Sequence, residues 1–259
     1  MRKINLYKIL RALIARISIF KKHYCVVCEH HIDAFLPYRS GWRGAPPLMR
    51  ALDVIGSNLN YFECPWCGAH DRERHLLLYM RASSLFENMK SMSILHFAPE
   101  LRLSRLISSQ NPVRYIKCDL YPTAHDIERI DIMAIPFMDN SFDLIIANHI
   151  LEHVADDIKA LQEIGRILKV GGKAILQTPY SSILHHTWSD PGIDTDNARL
   201  QAYGQEDHVR LFGRDIFERF TSVGMESCAG THDQLLLEYD PKEYGVNGKE
   251  PFFLFKRPP

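Results

Sequence analysis

The sequence lacks the features that mark a membrane-spanning or secreted protein. No apolar run approaches the roughly 18 residues that a transmembrane helix needs. The first 24 residues contain neither an uninterrupted apolar stretch nor a small-residue cleavage site. We therefore expect a cytoplasmic protein.

The sequence also lacks an excess of charge of either sign. Its 31 Lys and Arg residues balance 31 Asp and Glu residues, so composition does not require the broad basic surface of a nucleic-acid-binding protein. Seven of the cationic residues precede the first acidic residue, Glu29, which leaves the rest of the chain mildly acidic. An apolar content of 46% in 259 residues is enough for a sizeable core.

The basic segment 1–24 has the pattern of an amphipathic helix. Its apolar residues recur at helical spacing, and most of its cationic residues lie on the opposite arc. Such a helix can lie on an anionic membrane surface, or it can dock its apolar stripe on the rest of the chain or on a second subunit. We expect docking, because the stripe is short and contains no Trp, and peripheral membrane contact is the alternative.

Two CxxC pairs stand out among the six cysteines. Cys25 and Cys28 form the first pair, and Cys64 and Cys67 form the second within a Cys-Pro-Trp-Cys-Gly sequence. A tight turn can direct both thiolates of such a pair at one ion, and a chain without a secretion signal keeps its thiols reduced. The two pairs therefore predict a structural zinc site with four sulfur ligands.

Other arrangements of these cysteines remain open at this point. The four thiols could be disulfide-bonded or unliganded, or could bind iron, and a nearby histidine could replace one sulfur ligand. The histidines close enough in sequence are His30, His31 and His70. The two isolated cysteines, Cys118 and Cys228, are expected to be small buried residues within strands.

The chain divides into three predicted parts: a basic helix at 1–24, a cysteine-rich zinc module at 25–70 and an α/β domain at 71–259. The third part alternates strand-like and helix-like stretches, which predicts a doubly wound parallel sheet. Predicted strands cover 93–98, 114–120, 142–148, 174–177 and 252–256, and predicted helices cover 157–168, ended by a Gly-Gly pair, and 214–223.

Polar residues follow several of these predicted strands. An open α/β sheet binds its ligand beyond the carboxyl ends of the strands. Asp119 ends the second predicted strand, where a carboxylate can accept hydrogen bonds from both hydroxyls of a ribose. Asp131 ends a third, short strand, where a carboxylate can meet an exocyclic amine, and Asn148-His149 ends the fourth.

Three ordered stretches resemble the class I S-adenosylmethionine-dependent methyltransferases, in particular the type 11 group. They are 131–145, the Asn-His-Ile-Leu-Glu-His-Val stretch at 148–154, and the glycine turn at 168–173. The resemblance covers about 90–259 and implies a Rossmann-like sheet of seven strands with S-adenosylmethionine as the methyl donor. It also implies a set of donor-binding residues: Ala98, Glu100, Asp119, Asp131, Ile132 and Asn148. Similar relatives carry a cysteine module whose CPxCG element precedes an Arg-His helix, as at 64–75 here.

The sequence departs from this family at the first strand. The family ends this strand in an acidic residue and a glycine-rich turn, whereas here His96 replaces the acid and Ala98-Pro99-Glu100 replaces the glycines. We expect Glu100 to supply the missing negative charge to the ammonium group of the donor. The alternative is that Glu100 only caps the next helix.

Histidines near the fourth strand are candidates for handling the acceptor. His149 could act as a general base or could line the donor pocket, and His153, one helical turn later, could contact the substrate or fix the strand-to-helix connection. In the cluster at 205–212, Asp207 can orient His208, a second candidate base, while Arg210 binds an anionic acceptor. The alternative is that Asp207 and Arg210 only hold this loop, and segment 181–203 would form a lid over the acceptor.

The sequence does not identify the acceptor. Its neutral charge favours a small molecule or a saccharide over nucleic acid. Two other functions remain open, namely an RNA methyltransferase whose zinc module grips RNA, and a non-catalytic protein that uses the zinc module and the basic helix to bind a partner.

Overall fold

The computed structural model describes residues 10, 12–14, 16 and 20–259. Most of the predicted helix at 1–24 lies outside these residues. Among the described members of its apolar stripe, Leu10, Leu13 and Ile14 are each at least half exposed. These three side chains are therefore not buried against the rest of the chain. Within the described residues, no helix is long and apolar enough to cross a membrane.

Eleven strands and nine α-helices are described from end to end. The strands are β1 (His23–Cys25), β2 (His30–Ile32), β3 (Val54–Ile55), β4 (Ser93–Phe97), β5 (Arg114–Asp119), β6 (Glu128–Arg129), β7 (Phe142–Ala147), β8 (Leu168–Ile175), β9 (Tyr180–Ser181), β10 (Glu226–Ser227) and β11 (Leu254–Lys256). The helices are α1 (Pro47–Ala51), α2 (Asp71–Ala82), α3 (Leu85–Asn88), α4 (Leu101–Ser109), α5 (Asp157–Ile167), α6 (Asp196–Tyr203), α7 (Ile216–Thr221), α8 (His232–Leu235) and α9 (Pro241–Tyr244). Two short 3-10 helices cover Gly41–Gly44 and Met89–Ser91.

Seven strands form one twisted sheet in the order β10-β11-β8-β7-β4-β5-β6. Strands β4 to β8 pair in parallel, and β11 pairs antiparallel with β8 at the far side. Successive strands run outward from β4 to β6, and the chain then returns to place β7 on the other side of β4. The predicted Rossmann-like doubly wound fold is confirmed, and the strand order reverses between β4 and β7.

Alternating side chains on the strands pack against helices on both faces of the sheet. On β7, Leu144 and Ile146 point toward α2 and α4, whereas Ile145 and Ala147 point toward α5 and α7. This alternation follows from the two-residue period of a strand, and burial on both faces explains the nearly continuous apolar runs in the sequence.

Helix α5 is shorter than the prediction, which extended it to 168 and ended it at the Gly-Gly pair. The Asp156 side chain accepts a hydrogen bond from the Lys159 amide, as predicted for the start of the helix. The helix ends at Ile167, and strand β8 begins directly at Leu168. Gly171, with a φ of +78°, and Gly172 lie in an irregular part of β8. The predicted end of the helix is wrong because strand β8 begins before the two glycines and not after them.

The cysteine-rich segment folds around the hairpin of β1 and β2 and continues over the carboxyl edge of the main sheet. Strand β3 pairs antiparallel with β9, which follows the end of β8. Met49 of α1 packs with Ala202 and Tyr203 of α6. The segment between the two CxxC pairs therefore covers the same edge as the segment after β8.

Arg74, on α2, connects the cysteine-rich segment to the chain near residue 245. Its side chain is fully buried, and all three guanidinium nitrogens donate hydrogen bonds to backbone carbonyls. The acceptors are the carbonyl oxygens of Tyr61, Phe62, Ala69, Tyr244 and Gly245. The guanidinium also stacks on the ring of Phe35, 3.8 Å from its centroid.

We predict that Arg74→Met destabilises the protein by at least about 3 kcal/mol, because it leaves several buried carbonyls without a donor. Urea denaturation monitored by circular dichroism measures this change in the free energy of unfolding. Arg81→Met is the matched control on the same helix. Its partly exposed side chain forms a 3.8 Å ion pair with Glu29 and lies 5.6 Å from the ring centroid of Phe86, so the loss should be about 1 kcal/mol. Equal effects of the two substitutions would contradict the role assigned to Arg74.

Candidate functional site at the carboxyl edge of the sheet

Three strand ends meet at the point where the strand order reverses. In the sheet register Phe97 lies beside Cys118 on β5 and beside Ala147 on β7. The residues that follow these three positions therefore lie at one edge of the sheet. The structure thus brings together the predicted donor-binding residues at 98–100, 119 and 148.

The backbone adopts left-handed conformations at two of these strand ends. The φ angle is +42° at Ala98 and +56° at His149. Residues other than glycine rarely adopt this conformation, and such strain tends to occur at functional sites. Ala98 thus occupies a glycine-like conformation at the turn where the family has its glycines.

Glu100 is buried among polar partners at this edge. Its carboxylate accepts a 2.6 Å hydrogen bond from the side-chain amide of Asn148 and lies 3.4 Å from Nε2 of His96 and 3.6 Å from Nε of Arg72. Burial alone raises the pKa of the Glu100 carboxyl, but the interactions with His96 and Arg72 outweigh burial and lower the pKa to about 2. His96, which replaces the acidic residue of the family, thus helps to keep a carboxylate charged four residues later.

The alternative role of Glu100, as the side-chain cap of α4, does not agree with the structure. Glu100 occupies the N-cap position, but its side chain makes no capping hydrogen bond. The carboxylate of Glu73 instead accepts hydrogen bonds from the amides of Arg102 and Leu103, each at 3.2 Å. The side chain of Glu100 is therefore directed toward the cluster at the sheet edge.

Asp119 and Asp131 lie beside the site with partly exposed side chains. Oδ1 of Asp119 accepts a hydrogen bond from the Tyr121 amide, and Oδ1 of Asp131 accepts one from the Met133 amide. These bonds orient each carboxylate at the end of its strand. Ile132, which is also a predicted donor-binding residue, is 6% exposed.

His149 is enclosed by carboxylates. Its Nδ1 lies 3.3 Å from Oε1 of Glu152, and its Nε2 lies 3.9 Å from Oε1 of Glu250. Glu250 in turn lies 3.3 Å from Nδ1 of His75, whose Nε2 lies 3.0 Å from His232. This geometry favours the alternative in which His149 lines the pocket over its predicted role as the general base.

Sequence reasoning assigned no role to several members of this network. Glu152 belongs to the Leu-Glu-His stretch of the family resemblance, which is a signal that could have been used. His75 follows the second CxxC pair at a fixed spacing. Glu250 lies in the loop before β11 and has no recognisable motif around it, so only the fold reveals its position.

The cluster at 205–212 is arranged differently from the prediction. Nδ1 of His208 lies 2.9 Å from the carbonyl oxygen of Tyr203, so this carbonyl orients the ring. Asp207 lies near His153 instead, with 3.4 Å between Oδ2 and Nδ1. The prediction that Asp207 orients His208 is therefore wrong, because the two side chains diverge at the end of the loop.

Arg210 is not available to an anionic acceptor. Its buried guanidinium donates hydrogen bonds to the carbonyls of Leu151, Val154 and Ala155 and lies 3.5 Å from Asp157. The predicted acceptor-binding role is corrected by this placement, which agrees with the alternative that Arg210 holds the loop. The partner in that role is Asp157 and not Asp207.

The four cysteines of the two CxxC pairs form one cluster. All four sulfur atoms lie within 4.8 Å of one another, and the Cys25–Cys67 and Cys28–Cys64 separations are both 3.9 Å. These distances are too long for a disulfide. Hydrogen bonds from the Cys25 and Cys28 thiols lower the pKa of the Cys64 thiol. None of the three nearby histidines belongs to this cluster.

The isolated cysteines differ from each other. Cys118 is fully buried on β5, and burial raises the pKa of its thiol. Cys228 is exposed. The prediction of a buried residue is confirmed for Cys118 and wrong for Cys228, because the short edge strand β10 ends at Ser227.

Parts of the chain are similar to known proteins. Residues 104–176 match the family model named Methyltransf_11, described as a methyltransferase domain. The uncharacterized methyltransferase YcgJ of Bacillus subtilis is 32% identical over 77 residues, which is 30% of this chain and 28% of that protein. The uncharacterized protein YafE of Escherichia coli is 44% identical over 79 residues, which is 30% of this chain and 35% of that protein.

The chain matches about a third or less of the length of these curated relatives. Among solved structures, the crystal structure of YcgJ covers 70% of this chain and 94% of its own, with a TM-score of 0.43 and 16% sequence identity. The matched family segment contains the strand ends at 119 and 148.

We predict that Ala98→Val destabilises the protein by about 1–2 kcal/mol, because a β-branched residue is strained at positive φ. A thermal unfolding scan measures the shift in Tm. Ala124→Val, at an exposed position without positive φ, is the control and should leave Tm nearly unchanged. If both variants unfold at the temperature of the wild type, Ala98 is not constrained as described.

Proposed function

We propose that this chain, whose residues 104–176 belong to the Methyltransf_11 family of methyltransferase domains, transfers a methyl group from S-adenosylmethionine to a small-molecule or saccharide acceptor. The observation that carries the proposal is the meeting of Ala98, Asp119 and Asn148 at the point where the strand order reverses. Open α/β sheets bind their ligands there.

Each predicted donor contact fits one part of the donor molecule. Asp119 would accept hydrogen bonds from the ribose hydroxyls, and Asp131 with Ile132 would contact the adenine. Glu100 is the buried negative charge nearest the turn after β4, where the donor ammonium group would lie. The unpartnered Oδ1 of Asn148, buried at the same edge, is a further acceptor for that group.

The reaction is an in-line displacement. An acceptor oxygen or nitrogen forms a bond to the methyl carbon while the carbon–sulfur bond breaks, and the electron pair of that bond stays on sulfur, which becomes a neutral thioether. The acceptor proton has to leave to a base. Much of the acceleration comes from holding the acceptor in line with the methyl group. Arg210 would contribute indirectly, because it holds the loop beside the site in place.

The segments that cover the site support a small acceptor. The segment from Ser181 to Tyr203, the predicted lid, is anchored through the packing of Tyr203 against Met49 and through the β3–β9 pairing. A covered edge suits a small molecule or a sugar better than a nucleic-acid strand. The balanced charge of the chain also favours a small acceptor over nucleic acid.

We also propose that the cysteine cluster binds a structural zinc ion. A Zn–S distance of about 2.3 Å in a tetrahedral site places the sulfur atoms about 3.8 Å apart, close to the two observed separations of 3.9 Å. Four thiolates leave no coordination position open, so this ion would stabilise the segment without taking part in the reaction.

We predict that Asp119→Ala weakens binding of S-adenosylmethionine at least about tenfold, because charge-assisted hydrogen bonds to the ribose are lost. Isothermal titration calorimetry gives the Kd. Two aspartates serve as controls and should leave the affinity unchanged. Asp126 is exposed and paired with Lys117, and Asp143 binds the Ser93 amide and Lys169 at the opposite edge of the sheet.

Asp143→Ala should lower the free energy of unfolding and not the affinity for the donor, because it removes the bonds to the Ser93 amide and to Lys169. If the wild-type protein shows neither heat nor a thermal shift with S-adenosylmethionine or its demethylated product at millimolar concentration, methyl transfer is excluded. The non-catalytic partner-binding function then takes its place.

For the zinc site, we predict that Cys64→Ser lowers the zinc content by about one ion per chain and destabilises the fold. Elemental analysis of the purified protein measures the metal. Cys228→Ser is the control, because that thiol is exposed and lies outside the cluster. Wild-type protein that contains no zinc and whose thiols react only after reduction would contradict the proposal.

A further inference from the structure

A second group of metal-ligating side chains lies away from the cysteines, between the end of β7 and the loop before residue 210. It consists of Glu152, His153 and His208, and one ligand atom from each lies within 4.8 Å of the others. Neither of the proposed binding sites for donor and zinc includes these three residues. We call them the Glu-His-His cluster.

Glu152 is buried without adequate partners. It is 1% exposed, and neither of its carboxylate oxygens has a hydrogen bond from any described residue, although His149 approaches one of them at 3.3 Å. A buried carboxylate is normally paired, hydrogen-bonded or bound to a metal. The structure therefore leaves a buried carboxylate whose two oxygens are available to a cation.

His208 presents an available nitrogen to the same place. It is 3% exposed, and the Tyr203 carbonyl near Nδ1 accepts the single N–H of the neutral ring, which leaves the lone pair on Nε2. Nε2 is buried and has no partner among the described residues. A carbonyl that fixes the other nitrogen is the usual second partner of a metal-bound histidine.

His153 completes the group from the solvent side. Its side chain is 32% exposed, and Nδ1 lies 3.3 Å from the carbonyl oxygen and 3.4 Å from the carboxylate of Asp207. A carboxylate beside one nitrogen orients the ring and makes the other nitrogen a better ligand. The partial exposure of this histidine also gives an ion access from solvent.

We propose that Glu152, His153 and His208 bind a divalent transition-metal ion. Two imidazoles and one carboxylate suit ions such as Zn²⁺, Mn²⁺ or Fe²⁺ and leave coordination positions open. Ligand atoms that share a tetrahedral ion lie about 3.3 Å apart, so the three atoms would move closer together on binding. If the proposed methyl transfer is right, an open position would take a hydroxyl oxygen of the acceptor, and the bound hydroxyl would release its proton more readily.

The test is a titration of the full chain with Mn²⁺, followed by electron paramagnetic resonance, after about one equivalent of zinc per chain has been added to fill the cysteine cluster alone. Thiolate ligands prefer zinc over Mn²⁺, so added Mn²⁺ reports on the nitrogen and oxygen ligands. We expect about one Mn²⁺ per chain and a Kd that rises at least about tenfold in Glu152→Gln and in His208→Gln.

His232→Gln is the matched control, because His232 is similarly buried but lies outside the cluster, and its Kd should equal that of the wild type. Should the buried variants fail to fold, His153→Gln at the partly exposed position gives the same test. Absence of binding by the wild type, or equal Kd values in all variants, would overturn the proposal. The titration contains neither donor nor acceptor, so its outcome does not depend on the proposed methyl transfer.

Discussion

The guanidinium of Arg74 holds the cysteine-rich segment, the start of α2 and the chain near residue 245 in one arrangement. A cation buried this deeply loses its hydration, and desolvation lowers the pKa of Arg74. Five backbone carbonyls and the ring of Phe35 replace the lost water. The carboxylate of Asp71 and the sulfur atoms of the cysteine cluster add negative charge nearby. A zinc ion bound by four thiolates would carry a net charge of about −2, which a buried cation would partly offset.

The first five residues of α2 link this interaction to the candidate site. Asp71 binds the Asn58 amide in the covering loop, and Arg72 lies beside Glu100. Glu73 caps α4, and His75 reaches Glu250 and through it His149. The first one and a half turns of α2 therefore position the loop at Asn58, helix α4 and the pocket wall at His149 together. Displacing α2 would therefore disturb the surroundings of Glu100 and of His149 at the same time.

The sequence was sufficient to predict the parallel sheet, its edge and the cysteine cluster. Strands such as β4 and β7 are buried on both faces, and such strands leave apolar runs that can be read directly. The polar network could not be predicted, since Glu250 and His75 are far apart in the chain and meet only through the antiparallel return of β11. Arg210 was misassigned for a related reason. Its main acceptors are backbone carbonyls, which every residue has, so the sequence carries no signal for this role.

The contacts of Arg74 also bear on how the chain acquires its structure during synthesis. Two of its five acceptors are the carbonyls of Tyr244 and Gly245, about 170 positions later. The cysteine hairpin can form early, but the cation beside it must stay hydrated until those carbonyls have left the ribosome. Contacts so distant in sequence slow folding, because a long loop has to close before they form. The amino-terminal cysteine-rich segment therefore reaches its final packing only after the chain near residue 245 has been synthesised.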